Sequence, residues 1–385
     1  MRIEAETVER MVAWRRDLHA HPELAFQEVR TAELVARELA ACGLSVKTGL
    51  GRTGVVGTLS RGDGPTIGLR ADMDALPIQE ATGLAHASRT PGVMHACGHD
   101  GHVAMLLGAA RHLASRTDLT GTVHFIFQPA EELAGGGRAM VEDGLFRQFP
   151  CDSVYGLHNW PGLPLGTFAT RVGAIMASLD TFEITVTGFG THAAMPERGI
   201  DTLVVVSETV LALQTIVSRR IAPTDPIVLS VTQIHGGDAY NVIPDRAVIR
   251  GTVRCLDEAV RKRVAELVGT IARGTAATHG AKAEVSYRFG YPATVNSGDA
   301  AGIALDAAAA VPDIAVRHGD VVPSMASEDF SYMLEACPGA YAWIGTDGAE
   351  RGPPLHNPAY DFNDEALSIG AAYWAAVSTR MLCGR

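Results

Sequence analysis

The run MHACGHDGHVAMLLGAARHLASRTDLTGTVHFIFQPAEE, residues 94–132, passes from a polar cluster into an apolar helical stretch and then into an apolar strand that ends on two carboxylates. HVAMLLGAARHLAS is apolar on nearly every face, as a helix buried on all sides must be. GTVHFIFQPAEE reads as a strand covered on both faces, the signature of a sheet with helices above and below. Working outward, GVVGTL and TIGLRADMD precede this run and SVYGLHNW follows it, each bounded by glycine-rich turns. Helical spacing at Val8, Met11, Val12, Arg15 and Leu18, and again from Ala32 to Leu39, places two helices around the polar turn HAHPELAFQE. Strands alternating with helices predict an open α/β sheet, which gathers its chemistry at the strand ends.

The pattern changes near residue 180. TFEITVTGFG, LVVVSETVLALQTIVSRR, IVLSVTQIHGG, VIPDRAVIRGTVRC, VRKRVAELVGTIARGTAATHG and AEVSYRFG give a β-α-β-β-α-β order that closes near Pro292. The sheet-like pattern returns in AYAWIGT and ends in the helix EALSIGAAYWAAVSTRML. The expected organisation is a catalytic domain from residues 1–179 and 293–385, with a smaller domain, 180–292, inserted into it.

A chain of 385 residues suits two cores better than one. Its net charge of -11, with no basic run, would repel a phosphate backbone, so nucleic acid is excluded as a partner. Six cysteines without paired spacing fit a reducing compartment. The first residues carry acids where a signal peptide would be apolar, and no uninterrupted apolar window reaches the length of a membrane span. A cytoplasmic protein without a membrane partner is expected.

Three histidines, a cysteine and an aspartate fall within MHACGHDGH. Cys97 and His99 are two apart, so both side chains can point to one side and share a site. The structural alternative is a polar loop capping the next helix through Asp100, but a cap does not need a thiol and three imidazoles. Glu131 and Glu132 are adjacent at the end of a buried strand. An EE pair is usually solvated surface. Where the backbone turns at a strand end, however, one carboxylate can bind a metal while the other takes a proton from a water whose pKa the metal has lowered. His158 and His356 also lie where strands end, and a lone histidine there is more often structural. Convergence changes that balance: Cys97, His99, Glu132, His158 and His356 together supply donors for two metal ions. His19, His21, His112, His124, His279 and His318 are assigned to structure.

With RRDLHAHPELAFQE, LRADMDALP, MHACGHDGHVAMLLGAA, FQPAEE, GLHNWP, GFGTHAAMPERGID, NVIPDRAVIRGTVR and SEDFSYM in place, the chain resembles the M20 metallopeptidase family over nearly its whole length. It is most similar to the branch of hippurate hydrolases, N-acyl-amino-acid amidohydrolases and plant auxin-conjugate hydrolases. The resemblance implies a zinc-peptidase-like catalytic domain, a mixed sheet flanked by helices, with an inserted α+β ferredoxin-like lid and dimerisation domain. It implies a di-metal site from the five donors above, two divalent ions drawn from Mn, Zn, Co or Ni, with Glu131 as general base and proton shuttle. It also implies that His192, in the glycine-rich GFGTHAAMP turn, polarises the scissile carbonyl of a small N-acyl amino acid, and that the protein is a homodimer or homotetramer. Asn241 and Arg254, on successive strands of the small domain, are candidates for binding the substrate; a guanidinium is the natural partner of a carboxylate, although a surface ion pair would use the same residue. The chain departs from many relatives outside this branch, where a His-x-Asp pair and a bridging Asp occur: here the stretch reads RADMDALP, and Asp72 and Asp74, with Asp100, become candidates for supporting the ligands. Glu197 follows the proline of HAAMP where close relatives often carry His, which bears on substrate preference. A dipeptidase, an N-acetyl-diaminopimelate deacetylase and a metal-binding protein without turnover are the other readings of this pattern.

Overall fold

A computed structural model describes residues 1–132, 135–348, 350 and 352–383. The chain divides into two compact units, one of residues 1–175, 295–322 and 329–385, the other of residues 176–294 and 323–328.

The larger unit begins with α1 (Ala5–Ala20) and α2 (Val29–Ala41) and continues through β1 (Ser45–Leu50), β2 (Gly54–Arg61), β3 (Thr66–Asp72), α3 (His99–Ser115), β4 (Gly121–Gln128), β5 (Ser153–Pro164) and β6 (Thr167–Ala169). Its sheet has eight strands in the order β1-β2-β4-β3-β5, then Gly339–Asp347, β6 and Val316–His318. The four central strands, β4, β3, β5 and Gly339–Asp347, are mutually parallel, so their C-terminal ends share one edge. That is the edge where an open α/β sheet can assemble a site.

Helix α3 is the centre of the core. It is buried along almost its whole length, as its all-round apolar sequence requires. Close packing against α1 needs Gly108, since a Cβ there would lie 2.0 Å from the sulfur of Met11. Phe125, Phe127, Tyr155, Trp374 and Leu107 fill the same core.

The inserted unit is a four-stranded antiparallel sheet in the order Ile227–His235, Arg246–Cys255, Asp180–Thr187, Lys282–Phe289. Numbered along the chain this order is 2-3-1-4, the ferredoxin-like arrangement. Burial alternates along Asp180–Thr187, and the inward residues Phe182, Ile184 and Val186 pack with Val205, Leu213, Val264 and Val268 of the two helices. Asp180 anchors the start of this unit by accepting from Arg261, Tyr287 and the Gly290 amide. Among the described residues one helix, Thr202–Arg220, is long and apolar enough by length and composition to cross a membrane. Its residues Val205, Val206, Leu213 and Ile216 belong instead to this small core.

Candidate metal centre

Gly98 sets the geometry of the MHACGHD segment. Its φ is +87°, and a Cβ would meet the Asn159 side chain at 2.5 Å, so only glycine lets the chain turn sharply between Cys97 and His99. Both flanking side chains are buried at the N-terminus of α3. Two residues at the other candidates hold a left-handed backbone without being glycine: Ala130, φ 54°, just before Glu131 and Glu132, and His356 itself, φ 64°. Such strain concentrates where a side chain must be aimed. The His356 amide is tied to the Ala96 carbonyl at 2.8 Å, which fixes its loop against the MHACGHD segment.

The structure brings the five sequence candidates together. Cys97 Sγ lies 3.5 Å from His158 Nε2. Glu132 Oε1 is 3.9 Å from His99 Nε2 and 3.3 Å from His356 Nε2. Donor atoms of Cys97, Glu132 and His356 all lie within 4.8 Å of one another, as do those of His99, Glu131 and Glu132, and those of Asp72, His99, His102 and His158.

The ring orientations are fixed from behind. His99 Nδ1 donates to the Asp74 carbonyl oxygen at 2.9 Å and to its carboxylate at 3.2 Å, while His158 Nδ1 donates to the Asn159 carbonyl oxygen at 2.6 Å. Each ring therefore turns Nε2 toward the cluster, the tautomer a metal ligand needs. Asp74 also accepts from the Glu132 amide at 3.1 Å, so one carboxylate positions two candidate ligands. Asp72 is held by Arg70 at 2.6 Å and by His102 Nδ1 at 2.5 Å. Glu131 accepts from the Asp329 amide at 3.4 Å, and the Asp329 carboxylate is gripped by Gln128, Arg70 and the Gly137 amide.

Asp100 does not cap α3. It lies inside the first turn of the helix, where it accepts from His19 Nδ1 at 2.8 Å and faces Arg15. Sequence reasoning missed His102, Asn159, Arg70, Gln128 and Asp329. Arg70 carried a signal, a cation in the middle of an apolar strand, which is rare without a buried partner; His102, Gln128, Asn159 and Asp329 lie inside stretches already singled out, MHACGHDGH, FQPAEE, GLHNWP and SEDFSYM, but nothing in their spacing gave them a role.

The electrostatics describe a site that calls for cations. Burial, reinforced by Glu132, Glu131 and Asp72, pushes the Cys97 thiol well up from its ordinary value. Burial alone would strip His99 of its proton, but Asp72, Asp74 and Glu132 outweigh it and push its pKa up to about 10. Burial, aided by His102, holds His158 well below the usual histidine range. Among the described residues, His99 Nε2 and Glu132 Oε1 are buried without a hydrogen-bond partner. Buried polar atoms rarely go unsatisfied. A thiol, imidazoles and carboxylates arranged in this way fit a borderline divalent metal ion, which would supply the missing partner and relieve the crowded negative charge.

The inserted unit holds the remaining candidates. His192 pairs with Val242 in a two-stranded ribbon and, with Asn241, lines a cavity of about 760 Å³ whose other walls include Phe189, Asp238 and Pro244. His192 is exposed, and its Nδ1 accepts from the Ala194 amide at 3.1 Å. Asn241 lies in the turn before Val242 and not on a strand. Arg254 is at the opposite end of strand Arg246–Cys255 from that cavity, where it donates to Ser327 Oγ at 2.9 Å. Glu197 is exposed in the short turn Pro196–Arg198.

A profile described as Peptidase family M20/M25/M40 matches residues 68–380. The chain is 41% identical over 376 residues to an N-acetylcysteine deacetylase of Bacillus subtilis (strain 168), covering 97% of each chain. It is 42% identical over 369 residues to a hippurate hydrolase of Campylobacter jejuni, covering 96% of this chain and 95% of that one. Among solved structures, the YXEP protein of Bacillus subtilis, described as a dinuclear metal binding peptidase from the M20 family, matches with a TM-score of 0.86 at 38% identity, covering 98% of this chain and 99% of that one.

Proposed function

Because this chain belongs to the peptidase family M20/M25/M40, we propose that it hydrolyses the amide bond of N-acyl amino acids, releasing a carboxylic acid and a free amino acid, with two divalent ions held by Cys97, His99, Glu132, His158 and His356. The observation that carries this reading is the convergence of five thiol, imidazole and carboxylate donors, with His99 Nε2 and Glu132 Oε1 buried and without a hydrogen bond among the described residues. Ions bound there would lower the pKa of a water and polarise the amide carbonyl. Mn, Zn, Co and Ni all suit the donor set. Glu131, beside the donors and held by the Asp329 amide, takes the proton from the attacking water and passes it to the leaving nitrogen. Asp72, Asp74 and His102 keep the ligands in register from behind.

The inserted unit is assigned the substrate-facing groups of a lid: His192 donates to the oxyanion as it develops, Asn241 lines the same cavity, and Arg254 pairs with the substrate carboxylate. Eight residue steps along the strand separate Arg246 from Arg254, about 26 Å of extended chain, so one small substrate cannot reach both Arg254 and the His192 of one lid. This supports a homodimer in which His192 serves the neighbouring copy's site. Mixing inactive Glu131→Gln and His192→Ala proteins under exchange conditions tests it: active mixed dimers would recover about a quarter of wild-type activity, and no recovery contradicts a shared site. Six free cysteines suit a reducing, cytoplasmic setting.

The assignment of the base is tested by Glu131→Gln against N-acetyl and N-benzoyl amino acids. Turnover is expected to fall by about a hundredfold or more, the scale of a lost general base, with metal content unchanged. Retained turnover removes Glu131 from the mechanism.

A further inference from the structure

The HAHPELAFQE turn was singled out by its sequence, yet none of its residues belongs to the donor set. Its last residue, Glu28, is fully buried. Its Oε1 accepts two backbone amides, from Phe26 at 2.9 Å and from Ala130 at 2.9 Å, and its Oε2 accepts from Thr53 Oγ1 at 2.6 Å. Phe26 and Ala130 are two of only four non-glycine residues with positive φ among those described, at 61° and 54°. A single carboxylate oxygen thus pins two left-handed peptides, one in its own turn and one immediately before Glu131. Phe26 is braced in addition by Arg52, whose guanidinium lies 4.3 Å from the ring centroid. The Ala130 carbonyl accepts from the Gly136 amide at 3.0 Å, so the loop after β4 is fastened at this residue from both sides.

We infer that Glu28 is a positioning residue for the reaction: by holding Ala130 in the left-handed conformation it aims the Glu131 carboxylate at the reacting atoms. The inference rests on the reading of Glu131 as general base. An L-alanine does not keep a left-handed backbone without support, because its Cβ crowds the carbonyl oxygen. Without the Glu28 acceptor the Ala130 peptide rotates toward the ordinary regions, and the direction in which residue 131 leaves the strand rotates with it. A misplacement of about 1 Å at a reacting group lowers turnover by orders of magnitude. Glutamine keeps the carbonyl oxygen with two lone pairs for the two amides, and its NH2 can donate to Thr53 Oγ1 in place of the bond it loses.

The experiment compares Glu28→Ala, Glu28→Gln and the double variant Glu28→Ala/Ala130→Gly, measuring kcat, KM, bound metal and thermal midpoint on one N-acyl amino acid. Glu28→Ala should lower kcat by about tenfold or more, with KM within about threefold of wild type and metal content retained, and Glu28→Gln should recover most of kcat. Glycine at 130 adopts the left-handed conformation without a penalty, so the double variant should regain several-fold in kcat over Glu28→Ala even though it gains no hydrogen bond. Wild-type kcat in folded Glu28→Ala protein, or a double variant no faster than Glu28→Ala, overturns the inference, as does a loss that Glu28→Gln shares. Glu131→Gln run alongside separates the two claims: if it stays active the base assignment falls, and if it is inactive while Glu28→Ala is not, only the role of Glu28 falls.

Discussion

The two units treat their functional residues in opposite ways. In the larger unit the candidate ligands other than His356, and Glu131 with them, are mostly or fully buried, and a second residue fixes the orientation of four of these groups: Asp74 behind His99 and Glu132, Asn159 behind His158, Asp329 behind Glu131. In the inserted unit His192 stands exposed on a two-stranded ribbon, and the cavity it lines is open enough to include the exposed Phe189 and Asn241. Groups that hold charge and activate water must be preorganised, because reorganising them during the reaction would raise the barrier. Groups that meet a substrate must stay accessible until it arrives, and elements that move are drawn from less tightly packed regions. The difference teaches that metal affinity, which is proposed for the larger unit, should be separable by mutation from the substrate contacts proposed for the inserted unit.

His192→Ala is the sharpest way to break that separation. Loss of an oxyanion donor costs about a hundredfold in kcat, and His192 is not one of the five proposed donors, so bound metal should be unchanged on elemental analysis. A variant that loses metal together with turnover would mean that the two units do not divide the labour as described.

A smaller effect separates the chemistry of the larger unit from its plain stability. His124, in the middle of β4, is buried and bonded to Thr58, and burial pulls its pKa down to about 4. The unfolded chain binds this proton near pH 6.5 and the folded protein does not until about pH 4. Between those values the unfolded state therefore holds more protons, so stability falls as pH falls through the window, by about 3 kcal/mol at most. His124→Val should flatten the difference in urea midpoint between pH 7 and pH 4.5 relative to wild type, with kcat at pH 7 unaltered. An unchanged pH dependence would show that His124 does not titrate in this way.

Much of this was legible in the sequence, and the reasons are physical. The strands of the parallel core announce themselves because both faces are covered, which makes GTVHFIFQ and SVYGLHNW continuous apolar runs ending on the residues of interest. The inserted sheet was visible from alternation along TFEITVT and from the two helices between its strands. The five donors stood out because cysteine, histidine and paired glutamates are chemically conspicuous. Asp72 and Asp74 were named as supports, but most of the others did not stand out. Asn159 and Gln128 are ordinary residues at strand ends, and Asp329 reaches Arg70 and Gln128 across more than two hundred positions of sequence, a distance only the fold closes. Asp100 is a related case: the sequence offered it as a support for the ligands, with a helix cap as the alternative, and only the structure reveals the buried His19 and Arg15 that use its carboxylate. Arg254 and Asn241 looked like neighbours on successive strands, but a strand of ten residues has two ends.

The central claim is that Cys97, His99, Glu132, His158 and His356 hold two divalent ions, and metal stoichiometry tests it most directly. Purified protein, stripped with a chelator and reloaded with Mn, should bind two equivalents per chain, and Cys97→Ala, which removes the thiol that lies beside His158, Glu132 and His356, should bind fewer. One equivalent or none in folded wild-type protein, or two full equivalents in Cys97→Ala, would contradict the account.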